Sequence, residues 1–229
     1  MTRHQSSPWT KYLLALGVST GVSLLLYAYA AIRNNSLAYD YLPWNLVLSW
    51  VPLLIAIRLT VVLRNKLWSS WEAMLTSFAW LVFLPNSFYM ITDYIHLQDT
   101  GRVDILYDTA MFTSFIFTAV VLGFTSLVLV HAQFRKRFSS NLSTTIVSSI
   151  LLACSFGIYI GRDLRWNSWD FLTNPGGLLF DITDRLTHIS SYPQMILTVI
   201  TYTILLLSMY RLLWYGAGLA RKFSLKDIE

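Results

Sequence analysis

The sequence predicts an all-α fold, a polytopic membrane helical bundle of about six transmembrane helices. The 229 residues are 55% hydrophobic and only 13% charged, with a mean hydropathy of +0.52, too little polar surface for an ordinary soluble domain. Six stretches are almost free of Asp, Glu, Lys, Arg and His, each near the ~20 apolar residues that cross ~30 Å of hydrocarbon. Basic residues between these stretches are alternately abundant and scarce, the pattern that the positive-inside rule imposes on a chain crossing repeatedly.

The spans fall at about 12–32, 42–62, 70–92, 107–131, 140–161 and 190–212. No Pro/Gly/Ser-rich linker or repeat interrupts them, so residues 1–229 are expected to form one transmembrane domain. The first span follows Arg3, His4 and Lys11 and carries "AYA" at 28–30, which resembles a leader cleavage site. Its uncharged run exceeds the about 7–15 residues of a signal-peptide core, so an uncleaved span is expected. The second uncharged run, Tyr41 to Ile57, is short and places Arg58 at its end, snorkelling toward headgroups. In the third, Pro85 removes a backbone donor and disfavours helical geometry at Leu84, so a kink is expected there with the helix resuming beyond it. The fifth holds Cys154, the one cysteine, which excludes a disulfide framework and a cysteine metal cluster.

The longest non-spanning segment runs from Arg162 to Ser191. Read as a helix, "RDLRWNSWDFL" puts Arg162, Arg165, Trp166 and Trp169 on one side and Asp163, Asn167 and Asp170 on another. "TNPGG" at 173–177 turns the chain, and Leu179, Ile182, Leu186 and Ile189 then recur at helical spacing. Two short interfacial helices are therefore expected in this loop.

With the amino terminus in the cytoplasm, the inside segments hold Arg3, Lys11, Arg64, Lys66, Arg135, Lys136, Arg137, Arg221, Lys222 and Lys226, plus the span-end Arg58 and Arg211, twelve of the 17 basic residues. Outside lie Arg33, Arg102, Arg162, Arg165 and Arg185 with nine of the twelve acids. Both termini are expected to be cytoplasmic, in the cell (plasma or inner) membrane. This asymmetry accounts for the net charge of +5 through contact with the bilayer, and no nucleic acid partner is expected.

Polar residues converge on the outer face. At 100° per residue Asn86, Tyr89, Asp93 and His96 fall within one arc of about 80°, a polar stripe on the third span. Asn45, in "PWNLVLSWVP" at 43–52, comes from the same side of the membrane. Asp93 and His96 with Asp108 suit an acid and base set for proton transfer, a shared metal, or a structural polar lock, and these alternatives stay open. No HExxH and no third nearby histidine occurs, so no metal and no cofactor is assigned. Arg162 and Arg165 are spaced to clamp a phosphate or carboxylate, with Trp166 and Trp169 against lipid or a sugar face, or else an interfacial aromatic belt with its counter-ions. Carboxylates at the edge of hydrocarbon seek cations, so Arg162 and Arg165 are expected to pair with Asp93 and Asp108. No serine nucleophile motif is present.

"WNLVLSWVP", "FLPNSFYMITDYIHL", "YD" at 107–108 and "GRDLRWNSWD" together resemble a family of bacterial predicted integral membrane proteins, domain of unknown function 1361. The resemblance runs from about Trp44 to Tyr210. It implies a multi-pass bacterial membrane protein and brings no reaction, substrate or cofactor with it. Ser87 and Phe88 stand where the family pattern has a small residue and a second proline, which leaves the expected kink to Pro85 alone.

Three readings of function remain. The leading one is a membrane-embedded site, open to the outer leaflet, that binds or processes an anionic or lipid-linked substrate. Asp93, His96 and Asp108 are its candidate catalytic groups. Asn45, Asn86, Tyr89, Arg162, Arg165, Trp166, Asn167, Trp169 and Asp170 are its candidate binding residues. The alternatives are a small transporter using the span broken at Pro85, and a non-catalytic membrane subunit or assembly factor whose protein partner the sequence does not name. Whether the chain is an enzyme is left open.

Overall fold

The computed structural model describes residues 7–99 and 105–222. Arg3, Arg102 and Lys226, which enter the charge asymmetry, lie outside the described residues. In chain order the helices are α1 (Pro8–Asn34), α2 (Tyr41–Asn65), α3 (Trp71–Tyr89, continued by a 3-10 segment Met90–Asp99), α4 (Ile105–Phe134), α5 (Ser140–Asp163), α6 (Asp170–Thr173), α7 (Pro175–Thr187) and α8 (Pro193–Lys222). Six of them, α1 to α5 and α8, are long and apolar enough to cross a membrane. This is the architecture of a multi-pass membrane protein.

Local chemistry sets several boundaries. Ser7 caps α1 by accepting from the Thr10 amide, with Pro8 in the first turn. Ser70 and Ser139 cap α3 and α5 in the same way, and Asn174 caps α7 ahead of Pro175. Such caps satisfy amides that a helix leaves without partners. At its end α1 stops at Asn35, whose φ of 47° is left-handed.

Two expectations from the sequence are corrected. Arg58 is not at the end of its span: α2 continues through it to Asn65, and the Arg58 guanidinium pairs with Glu72, which also takes Lys66. The third helix resumes beyond Pro85, as expected, and runs to Tyr89, but from Met90 a 3-10 segment replaces the α-helix expected to carry Asp93 and His96.

The core is organised on α4. Of its most apolar window 72% is buried, against 17% in α1 and 11% in α8, so α4 is the central post and α1 and α8 are peripheral. Lipid offers no hydrophobic drive for helices to associate, so packing and interhelical hydrogen bonds hold them together. Along the α1–α4 seam Tyr12 meets Thr125 at 2.7 Å, Ser19 meets Thr118 at 2.6 Å and Ser23 meets Ser114 at 2.7 Å. On the other side of α4 the Trp80 indole donates to Ser126 at 2.6 Å, and Ser126 donates to the Pro52 carbonyl at 3.2 Å, tying α3, α4 and α2 together.

Close approach of backbones completes the bundle. A Cβ on Gly123 of α4 would lie 2.7 Å from Ser87 Cβ of α3. On α5 the pair Gly157 and Gly161 faces α3, where added Cβ atoms would lie 2.8 Å from Pro85 Cγ and 3.3 Å from the Tyr89 ring. This is a small-xxx-small contact between two helices running in the same direction. One end of the bundle carries Arg64, Lys66, Glu72 and Arg135 to Arg137 and is called the basic end; the other carries Asp93, His96 and Arg162.

Candidate functional site

A long 3-10 segment is unusual, because its hydrogen bonds are poorer and its side chains eclipse every third residue. That eclipsing aligns Met90, Asp93 and His96 along one edge of the segment. Met90 and Asp93 are buried there, Asp93 at 1% exposure. Asn45 of α2 donates to the Asp93 carboxylate at 3.4 Å, and Ser49, one turn further along α2, contacts the Met90 sulfur at 3.6 Å. The His96 ring lies tilted against Tyr41 with centroids 5.2 Å apart, and its Nε2 lies 3.3 Å from Arg162 Nη1 at the end of α5. A guanidinium only donates, so His96 accepts at Nε2 and carries its proton on Nδ1.

These groups line one end of a cavity of about 610 Å³. Its floor is α3 and its walls are α2 and α5; the segment after α5, with Leu178 and Ile182 of α7, covers part of it. Among the residues singled out from the sequence, Asn45, Asn86, Tyr89, Asp93, His96, Arg162, Trp166 and Asn167 all line it. Away from the polar end the lining becomes apolar, with Leu48, Phe78, Leu81, Val82, Ala153 and Phe156. Trp44, Phe78 and Leu81 keep 52%, 46% and 41% of their surface exposed, so this stretch is accessible from outside the protein.

The covering segment is not the helix expected from "RDLRWNSWDFL". Helix α5 ends at Asp163, and Arg165 has a φ of 59°, a left-handed turn that breaks the helical periodicity from which that grouping was read. Beyond it the chain doubles back along α3. Asn86 donates to Ser168 at 2.8 Å, Ser168 donates to the Val82 carbonyl at 3.4 Å, and Phe171 meets Phe78 at 5.2 Å. From Tyr89 to Phe78 this retraces about 16 Å of α3 at 1.5 Å per residue. Irregular backbone at such depth is tolerated where it lines a cavity and its polar groups are bonded.

Four proposed site residues are not brought into the cavity. Arg165 is exposed beyond the turn. Trp169 lies tilted against Trp44 with ring centroids 6.4 Å apart and is outside the lining. Asp170 is a loop brace, accepting from the Asn167 amide at 2.7 Å and the Thr173 hydroxyl at 3.1 Å. Asp108, fully buried in the first turn of α4, accepts from Tyr39 at 3.3 Å on a different face of the bundle. The expected pairing of arginines with carboxylates also fails. Among the described residues Arg162 forms no ion pair within 4.0 Å; its polar partner is His96, although its charge still bears on Asp93. The left-handed Arg165 and the direction of α5 turn the two arginines apart, so no double clamp forms.

Other cavity residues were not anticipated. Tyr41, Trp44 and Ser168 gave no distinct signal, being common interfacial residue types. Gly157 and Gly161 did: "GIYIG" is a small-xxx-small pattern, and it sets how near α5 comes to α3.

A second polar cluster lies just past the cavity. Tyr192 donates to Asp184, which His188 and Arg185 also approach at 3.0 Å. The Tyr192 bond holds the Asp184 carboxyl below its usual range and raises the Tyr192 hydroxyl. Because the folded value is lowered, this contact stabilises α7 above the ordinary carboxylate range of about pH 4 and is lost on acidification through the lowered value.

A sequence profile described as "Protein of unknown function (DUF1361)" matches residues 44–209. The chain belongs to that family. Every cavity-lining residue except Tyr41 falls within the DUF1361 match, whereas α1 lies before it. No curated protein and no solved structure matches the chain.

Proposed function

We propose that this DUF1361 member binds an amphiphile with an anionic headgroup, a lipid-linked substrate or a lipid itself, in the cavity between α2, α3 and α5. One observation carries the reading. A polar end built from Asp93, His96, Arg162 and Asn45 passes along α3 into an apolar, accessible stretch at Phe78, Leu81 and Ala153. Arg162 holds the anion, and His96 orients the guanidinium through its Nε2 lone pair. Asp93, held by Asn45, is the group placed to exchange a proton with the bound headgroup. A transport path would have to continue from Asp93 toward the basic end, and the opposite face of α3 is closed by the fully buried Trp80, Leu84 and Phe88.

The apolar half is tested separately from the polar half. Ala153 is exposed, so Ala153→Trp fills the apolar stretch without burying anything new. Retention of a long-chain anionic amphiphile by the purified protein is expected to fall at least tenfold, with short-chain analogues affected little. Equal loss of both chain lengths, or of neither, contradicts the proposed orientation.

We also infer that the cavity opens on the outer side of the cell membrane with both termini cytoplasmic, on the strength of the basic end. In a Cys154→Ser background, Pro175→Cys should react with an impermeant maleimide from outside and Phe138→Cys only after permeabilisation. The reverse pattern would place the cavity in the cytoplasm.

A further inference from the structure

The basic end carries a second recess, of about 340 Å³, independent of the cavity around Asp93. Arg64 from the last turn of α2, Trp68 from the α2–α3 connection, Gln133 from the last turn of α4, and Lys136 and Arg137 from the α4–α5 turn line it, with Leu63 between them. Every polar side chain turned to it ends in a donor. Lys136 donates to Gln133 Oε1 at 3.0 Å, which takes up the amide's acceptor and leaves its NH2 group to donate. Trp68 offers only an indole N–H, and its ring is fixed by stacking on Phe134 at 5.0 Å and 18°.

Three cations gathered around one recess repel each other unless an anion enters. No side chain supplies it. Among the described residues Glu72 is the one acid at this end, and it is engaged by Arg58 and Lys66; Arg64, Lys136 and Arg137 form no ion pair with a described carboxylate. The residues come from two separate connections, and short turn hydrogen bonds fix the second of them, Lys136 N to Gln133 O at 3.2 Å and Arg137 N to Phe134 O at 2.9 Å.

We propose that this recess is a binding site for a phosphate-bearing anion, with Arg64, Lys136 and Arg137 supplying charge and Gln133 and Trp68 supplying neutral donors. An ordinary topology anchor needs only proximity to headgroups. A site needs these particular residues, and Arg135, an equal charge in the same turn that does not line the recess, is the internal control.

The experiment uses the full chain in phosphatidylcholine nanodiscs. Binding is read by native mass spectrometry and thermal shift as phosphatidylglycerol is added, and separately as inorganic phosphate is added at constant ionic strength. Saturable binding of one equivalent is expected. Arg64→Gln, Lys136→Gln and Arg137→Gln should each weaken it roughly fivefold, the effect of about one basic residue near an anionic headgroup, and Arg135→Gln should change it less than twofold. Saturation by the lipid with no competition from phosphate identifies a headgroup as the ligand; competition by phosphate identifies a soluble phosphate. Absence of saturable binding by both, or an Arg135→Gln effect equal to the others, overturns the proposal.

Discussion

Arg162→Ala is expected to lower retention of an anionic amphiphile by the purified protein about 10- to 100-fold while changing its thermal midpoint little. The magnitude follows from a charge-assisted hydrogen bond to the ligand, worth about 1.5–3 kcal/mol. The small effect on stability follows from the environment of Arg162. Its side chain is half-buried, forms no ion pair with a described carboxylate, and meets His96 at 3.3 Å. Removing it releases the His96 Nε2 lone pair into a cavity that water can enter, so no buried polar atom is stranded. Arg162→Lys should recover part of the binding, since charge returns without the planar donor fork. Binding unchanged in Arg162→Ala, by separation of bound lipid after mild-detergent purification, contradicts the assigned role.

Trp80→Ala should act in the opposite way, on the fold before the site. Trp80 is 1% exposed, the largest of the fully buried side chains, and its indole donates to Ser126 at 2.6 Å. Truncation of a buried Trp costs about 3–5 kcal/mol through lost contacts and the cavity left behind. Ser126 keeps its own bond to the Pro52 carbonyl, so the loss is mainly one of packing between α3 and α4. Trp80→Phe separates the parts: it retains most of the volume and removes only the hydrogen bond, about 0.6 kcal/mol on average for such bonds in membranes. A large drop in folded yield and thermal midpoint for Trp80→Ala, and a small one for Trp80→Phe, is the expected pair. Because α3 is the floor of the cavity, binding in Trp80→Ala should fail together with folding, unlike in Arg162→Ala.

The spans were legible because hydrophobic length is a one-dimensional property. A run such as Thr109 to Val130 reads as a span whatever packs on it. Grouping Asn86, Tyr89, Asp93 and His96 also survives the change from α-helix to 3-10 helix, because both geometries return residues three apart to one side. Position in three dimensions was not legible. Asp108 and Asp93 both sit near the same end of the bundle in the sequence reading, yet the face of α4 that carries Asp108 looks toward Tyr39 and not into the cavity. Periodicity alone made Arg165 a neighbour of Arg162; one left-handed residue cancels that, and nothing about an arginine announces it. The doubling back of residues 166–171 depends on long-range bonds, Asn86 to Ser168 and Phe78 to Phe171, which no local pattern encodes. The glycine pair at 157 and 161 was readable and is the feature that sets the width of the cavity.

The central claim is that the cavity along α3 holds an anionic amphiphile, and Phe156, which lines its apolar stretch, gives the most direct access to it. A photoreactive phenylalanine derivative at position 156, irradiated in native membranes, should yield one dominant lipid-type adduct by mass spectrometry, enriched over its share of the bilayer and lost when Arg162→Ala is added. Adducts that mirror the bulk lipid composition and persist in Arg162→Ala would show that the position merely faces the membrane, and would contradict the account.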